Sequence, residues 1–154
     1  MKELILASAS PRRADILKMM GLRFRTVPSG VSEEPDGPLE PRDHVLQISR
    51  RKALAVAQKE KAGLVLGADT VVALGNEILE KPLDPADARR MLSRLSGKTH
   101  KVFTGLTLVT QGGGCVLSDV AATDVSVRLL QEAEIRAYVD TGEPLDKAGA
   151  YAAQ

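Results

Sequence analysis

The apolar run from Leu4 to Ala7 is short, unbroken and bounded by polar residues, so it reads as a buried strand. It stops at Ser8-Ala9-Ser10-Pro11-Arg12-Arg13, where Pro11 suits the first turn of a helix because an N–H there has no intrahelical partner to lose. Ile16, Leu17 and Met20 give that helix an apolar face, and Gly21 closes it. Leu22 to Val27 reads as a second strand, and the polar stretch from Pro28 to Pro41 as an exposed loop. Pro41 then starts a longer helix, to about Lys61, with Val45, Leu46, Ser49, Ala53 and Val56 along one side.

Leu64 to Leu66 predicts a strand that ends at Gly67-Ala68-Asp69-Thr70. Val71 to Leu74 and Glu77 to Leu79 flank Gly75-Asn76 as a hairpin with a two-residue turn. The next helix has Asp84 as cap, Pro85 at its first position, Asp87 in its first turn and Gly97 at its end. His100 to Thr110 and Cys115 to Leu130 alternate weakly around Gly112-Gly113-Gly114, a long hairpin, and a helix from Gln131 to Asp140 stops at Gly142. Helices and strands alternate early and a hairpin dominates late. The expected fold is therefore α/β, a mixed twisted sheet with flanking helices.

Composition narrows the function classes. The chain has 154 residues, 44% of them hydrophobic, which suits one domain with room for two lobes that buries about 70% of its unfolded surface. Phe24, Phe103, Tyr138 and Tyr151 are its four aromatic rings, too few for a nucleic-acid surface built on base stacking. Twenty-one basic and 20 acidic residues leave a net charge of +1, which rules out polyanion binding by bulk charge. The balance hides a gradient, because residues 1–61 carry 12 basic and 8 acidic side chains against 9 and 12 in the remainder. Cys115 stands alone, which excludes an internal disulfide and fits a reducing compartment. The first residues are too short and too acidic a run for a signal peptide, and no apolar run approaches about 18 residues. The expectation is a soluble, cytoplasmic protein with no membrane partner.

Ser8-Ala9-Ser10-Pro11-Arg12-Arg13 places two hydroxyls, two guanidinium groups and the N–H groups of a helix start in one loop after a strand. Each is an anion ligand, and together they suit a di- or triphosphate. The alternative is Ser10 as an ordinary cap with both arginines solvated. Arginine in a first helical turn opposes the macrodipole, which favours the bound anion. Asp69 falls at the end of an apolar strand, where open α/β sheets bind ligands, although an ordinary turn aspartate reads the same way. Glu33, Glu34 and Asp36 could supply hard oxygen ligands or could simply be solvated. Lys52 and Lys81 could each reach a phosphate as a point charge, with surface solvation the default for either alone. Gly97-Lys98-Thr99 fails as a phosphate loop because Leu92 stands where the pattern needs glycine. His44 and His100 lack a metal-ligand spacing and are read as structural or surface residues.

The ordered set resembles the Maf family of nucleoside triphosphate pyrophosphatases. It comprises Ser8-Ala9-Ser10-Pro11-Arg12-Arg13, Glu33, Arg51-Lys52-Ala53, Gly67-Ala68-Asp69-Thr70-Val71-Val72, Glu80-Lys81-Pro82, Leu95-Ser96-Gly97-Lys98-Thr99-His100 and Asp146-Lys147-Ala148-Gly149-Ala150-Tyr151. The match runs through the chain in order. The resemblance implies a Maf or inosine triphosphate pyrophosphatase-like fold with two lobes around a cleft. It implies hydrolysis between the α and β phosphates of a nucleoside triphosphate, with Mg²⁺ or Mn²⁺ as the divalent cofactor and a homodimer as the assembly. Asp69-Thr70, the Ala-Gly-Ala-Tyr segment and Gln154 resemble the branch acting on dTTP and UTP.

By the same carry-over Asp69 is the general base, Lys52 and Lys81 assist catalysis, and Ser8 and Arg13 bind phosphate. Arg12, Thr70 and Gln154 select the base, and Glu33 with Asp69 holds the metal. Phosphoanhydride hydrolysis needs charge neutralisation and an oriented water more than a covalent nucleophile, which this residue set suits. Ser32 precedes Glu33 where the family often has an acid, so a leaner metal shell is expected. The chain ends at Gln154, after Ala-Gly-Ala-Tyr-Ala-Ala, where family members continue with further strand and helix; either a truncation or a compact variant is expected. A rival reading is a non-catalytic, nucleotide-sensing regulator of cell division, since the family name is tied to inhibition of septum formation. A third reading, a nucleic-acid binder using Arg50-Arg51-Lys52 and Arg12-Arg13, sits poorly with the charge and the few rings.

Overall fold

A computed structural model describes residues 3–152, apart from the side chains of Cys115 and Val116. Its strands are β1 (Leu4–Leu6), β2 (Phe24–Thr26), β3 (Leu64–Leu74), β4 (Glu77–Leu79), β5 (Thr99–Thr110) and β6 (Cys115–Ser126). Its α-helices are α1 (Pro11–Met19), α2 (Pro41–Ala57), α3 (Pro85–Leu95) and α4 (Glu132–Asp140). The chain divides into two compact units, one of Met1–Asp69 with Thr104–Ala121 and the other of Thr70–Phe103 with Ala122–Gln154. β3, β5 and β6 each contribute a segment to both units. The architecture is the expected mixed α/β sheet with helices.

In the first unit the strands run in the order β2-β1-β3-β5-β6. β1 is parallel to both neighbours, Leu4 pairing with Phe24 on one side and with Leu64 on the other. Ile5, Ala7 and Val65 on these strands pack with Ala53, Val56 and Ala57 of α2 and with Val109 of β5. α2 presents Val45, Ser49 and Ala53, spaced four apart on one stripe, as the sequence periodicity predicts. Ser49 Oγ on this stripe and Thr107 Oγ1 of β5 lie 2.9 Å apart, so these two buried hydroxyls satisfy one another, and Thr107 Oγ1 is also 2.9 Å from the exposed Ser118 Oγ of β6.

Two sequence expectations change here. β3 does not end at Gly67 but runs unbroken through Gly67-Ala68-Asp69-Thr70 to Leu74. Gly67 is needed for close approach and not for a turn. A Cβ there would stand 2.1 Å from the Ser49 carbonyl oxygen and 2.8 Å from the Ala53 nitrogen. Gly105 of β5 makes the same allowance, with the Val45 carbonyl oxygen 2.4 Å from where its Cβ would be. The two glycines let α2 lie against the sheet backbone.

The second change concerns α1, whose inward face is not Ile16–Leu17–Met20. Leu17 is buried, but Ile16 is 51% and Met20 66% exposed. Arg13, one turn before Leu17, takes the inward position, which turns Ile16 and Met20 outward.

In the second unit β4 is antiparallel to β3, with Val72 opposite Leu79 across the Gly75-Asn76 turn. Asp84 caps α3 as expected, its Oδ1 accepting from the Asp87 N–H at 2.8 Å. Ala88, Met91 and Leu92 of α3 pack against Ile135 and Val139 of α4. Val72, Leu79 and Leu95 form a second buried cluster in this unit, flanked by Val102 and Tyr151.

Candidate active site

The site grows from the exit of β1. Ser8 is buried, and its Oγ accepts from the Ser10 N–H at 3.1 Å and from Arg13 Nη1 at 3.2 Å. Arg13 Nη1 also donates to the Ala68 carbonyl of β3 at 2.9 Å, which fixes the guanidinium beside the middle of that strand. Burial lowers the Arg13 pKa from its ordinary value; Asp69 and Glu33 pull it up, and Arg12 adds to the lowering. The group stays charged at neutral pH. Ser10 makes no side-chain cap and Arg13 is held by Ser8 and Ala68, so of the cap alternative only the solvated Arg12 remains. Arg12 lies exposed in the first turn of α1.

The ammonium of Lys52 stands between two carboxylates. Its Nζ donates to Asp69 Oδ1 at 2.8 Å and lies 2.8 Å from Glu33 Oε1. Lys52 is only 4% exposed and Asp69 6%, a degree of burial that charged side chains reach only when paired. The geometry follows from periodicity. His44, Ile48 and Lys52 form a row on α2 one residue behind the Val45–Ser49–Ala53 stripe, and strand alternation turns the Asp69 side chain away from that of Ala68. Asp69 is thus a mid-strand residue and not one at a strand end.

Ser8, Arg13, Glu33, Lys52 and Asp69 are brought together. Thr70, the next residue of β3, is half-buried and belongs to the second unit, as does Lys81, exposed just beyond β4. Gln154 lies outside the described residues. His44 was read as structural or surface. It is buried, with Nε2 3.8 Å from Asp69 Oδ2. That burial fits the structural half of the reading. His100 fits the structural reading. Its Nε2 is 2.6 Å from the Tyr151 hydroxyl in an edge-to-face pair, and desolvation by burial lowers its pKa.

Among the described residues no three His, Cys, Asp or Glu side chains gather as a metal shell. Glu33 and Asp69 nevertheless share one cationic group, within two hydrogen-bond lengths of each other. That donor set suits Mg²⁺ or Mn²⁺, which take one or two carboxylates and complete their shell with water and substrate phosphate.

The family model described as Maf-like protein matches residues 3–154. The dTTP/UTP pyrophosphatase of Pelotomaculum thermopropionicum is 47% identical over 154 residues, covering 100% of this chain and 81% of that protein. The protein of the same name from Desulforamulus reducens is 46% identical over 154 residues, with the same coverage. That of Gloeobacter violaceus is 48% identical over 151 residues, covering 98% of this chain and 78% of its own length.

Proposed function

The chain belongs to the Maf family, and from that membership we propose that it is a metal-dependent pyrophosphatase hydrolysing dTTP and UTP to the nucleoside monophosphate and pyrophosphate. The observation that carries the reading is the buried Lys52 ammonium shared by Asp69 and Glu33, beside an Arg13 held on the Ala68 carbonyl. It combines phosphate-binding cations with a carboxylate base.

In this reading Ser8 and Arg13 bind the phosphates, with Lys52 and Lys81 neutralising charge as it moves onto the leaving group. A water oxygen attacks the α phosphorus, the bond to the bridging oxygen breaks, and pyrophosphate leaves with that oxygen. Lys52 engages Asp69 Oδ1, so Oδ2 is assigned to take the proton of the water. Glu33 and Asp69 would hold Mg²⁺ or Mn²⁺, which supplies charge neutralisation and a more acidic water when bound. Arg12, Thr70 and Gln154 are assigned to the base.

A homodimer and a cytoplasmic location belong to the same reading. Among the described residues no helix is long and apolar enough to cross a membrane. Purified protein with Mg²⁺ or Mn²⁺ and a nucleotide panel tests the reaction, with monophosphate and pyrophosphate both measured. Orthophosphate as the only product overturns it, and turnover that is absent while nucleotide still raises Tm returns the regulatory reading. Asp69→Asn is expected to lose about 10²–10⁴-fold in kcat while retaining nucleotide binding. Full activity of that variant places the base elsewhere.

A further inference from the structure

Resting on that site, we propose that Arg51 and Gln47 are positioning residues that set where the Glu33 carboxylate stands, and through it the affinity of the site for its divalent cation. Glu33 lies between β2 and α2 in a segment with no helix or strand, and its side chain is 53% exposed. A carboxylate on such a segment would lose much of its useful orientation to backbone and rotamer freedom.

Arg51 removes that freedom on both sides of Glu33. Its Nη1 donates to the carbonyl of Ser32 at 3.1 Å and to that of Glu34 at 2.5 Å. Its Nη2 donates to Asp36 Oδ1 at 2.6 Å. Gln47, one turn earlier on the same face of α2, accepts at Oε1 from the Asp36 N–H at 2.9 Å and from Arg51 Nη2 at 3.5 Å. The backbone before and after Glu33 is therefore held by one planar guanidinium, and Glu33 reaches the next residue of the helix, Lys52. Consecutive residues of α2 divide the task, Arg51 gripping the loop backbone and Lys52 meeting the carboxylate. A lysine at 51 lacks the fork and cannot span two carbonyls and a carboxylate in one plane. This use of Arg51 also takes it out of the basic run that suggested a nucleic-acid surface.

The test is Mn²⁺ binding by electron paramagnetic resonance without nucleotide, on wild type, Arg51→Ala, Arg51→Lys, Gln47→Ala and Glu33→Gln, with Tm recorded for each. Removing a group that orients a metal ligand typically weakens metal binding about 10–100-fold. Arg51→Ala, Arg51→Lys and Glu33→Gln are each expected to raise the Mn²⁺ Kd about tenfold or more, with Gln47→Ala milder. Gln47→Ala and Arg51→Lys carry the test if Arg51→Ala does not fold. Saturating Mn²⁺ is expected to return the kcat of Arg51→Lys toward wild type, which a base variant such as Asp69→Asn would not show. Wild-type Mn²⁺ affinity in every Arg51 and Gln47 variant, with affinity lost in Glu33→Gln, overturns the positioning role and leaves the site standing. Unchanged affinity in Glu33→Gln overturns the role of Glu33 and the proposal with it.

Discussion

Replacing Gly67 by alanine tests whether the site depends on the close seating of α2 against β3. The new Cβ would meet the Ser49 carbonyl oxygen at 2.1 Å, the Ala53 nitrogen at 2.8 Å and the Ala53 Cβ at 2.9 Å, where ordinary contact begins at 3.4 Å. The obstructing atoms belong to helix backbone and a β-carbon, not to the ends of flexible side chains. Close-packed interiors yield little, so α2 must retreat by about 1 Å. Overpacking of this kind costs about 1–3 kcal/mol, and at this chain length Tm falls about 2–4 °C per kcal/mol. Lys52 precedes Ala53 on the displaced helix, and a misplacement of about 1 Å in a catalytic constellation costs about 100-fold in rate. Thermal unfolding and pyrophosphate release from dTTP measure the two effects together. Gly75→Asn is the control, because Gly75 sits at φ +63° with nothing within 4 Å of its Cβ position and asparagine tolerates that conformation. A Gly67→Ala protein that melts and turns over like wild type refutes the reasoning.

Lys52→Met leaves Asp69 and Glu33 facing each other without their shared cation. Breaking a buried pair in this way costs about 3–5 kcal/mol, and Mn²⁺ is expected to restore part of the Tm while turnover stays low. A Tm unaffected by Mn²⁺ in that variant would count against the two carboxylates as metal ligands. His100 makes a separate pH prediction. Burial lowers its pKa in the fold below the 6.5 of the unfolded chain, so between those values the unfolded state binds more protons. Stability is full above about pH 6.5 and falls as pH drops through the folded value. Urea titrations at pH 5 and pH 7 on wild type and His100→Gln check this, since the variant should lose that part of the pH dependence.

The elements that the sequence places well are those whose signals are local. Asp84-Pro85 before α3 and Gly75-Asn76 between β3 and β4 specify backbone geometry within four residues, and both behave as expected. Gly67 misleads because glycine in a strand and glycine in a turn look alike from sequence; only the approach of Ser49 and Ala53 separates them. The apolar face of α1 misleads for a different reason. Periodicity assumes that the inward face is apolar, and here Arg13 takes an inward position because the Ala68 carbonyl and Ser8 hydroxyl receive its donors.

The same distinction governs the site. Ser8, Arg13, Lys52 and Asp69 were legible as a motif set, but not the contacts that make them chemistry, since Lys52 and Asp69 lie 17 positions apart and Arg13 and Ala68 55 apart. Arg51 stood in the motif set, but its hold on the carbonyls on either side of Glu33 spans 19 and 17 positions, and nothing local in the sequence shows that His44 faces Asp69. The resulting site has halves of different stiffness. Asp69 sits mid-strand under a helix that glycine brings into backbone contact, whereas Glu33 stands on a loop held by one guanidinium and one amide. On the roles proposed above, the residue assigned as base has its geometry fixed by strand and helix, as proton transfer requires, while the residue assigned to the cation takes its position from the contacts that Arg51 and Gln47 make with its loop.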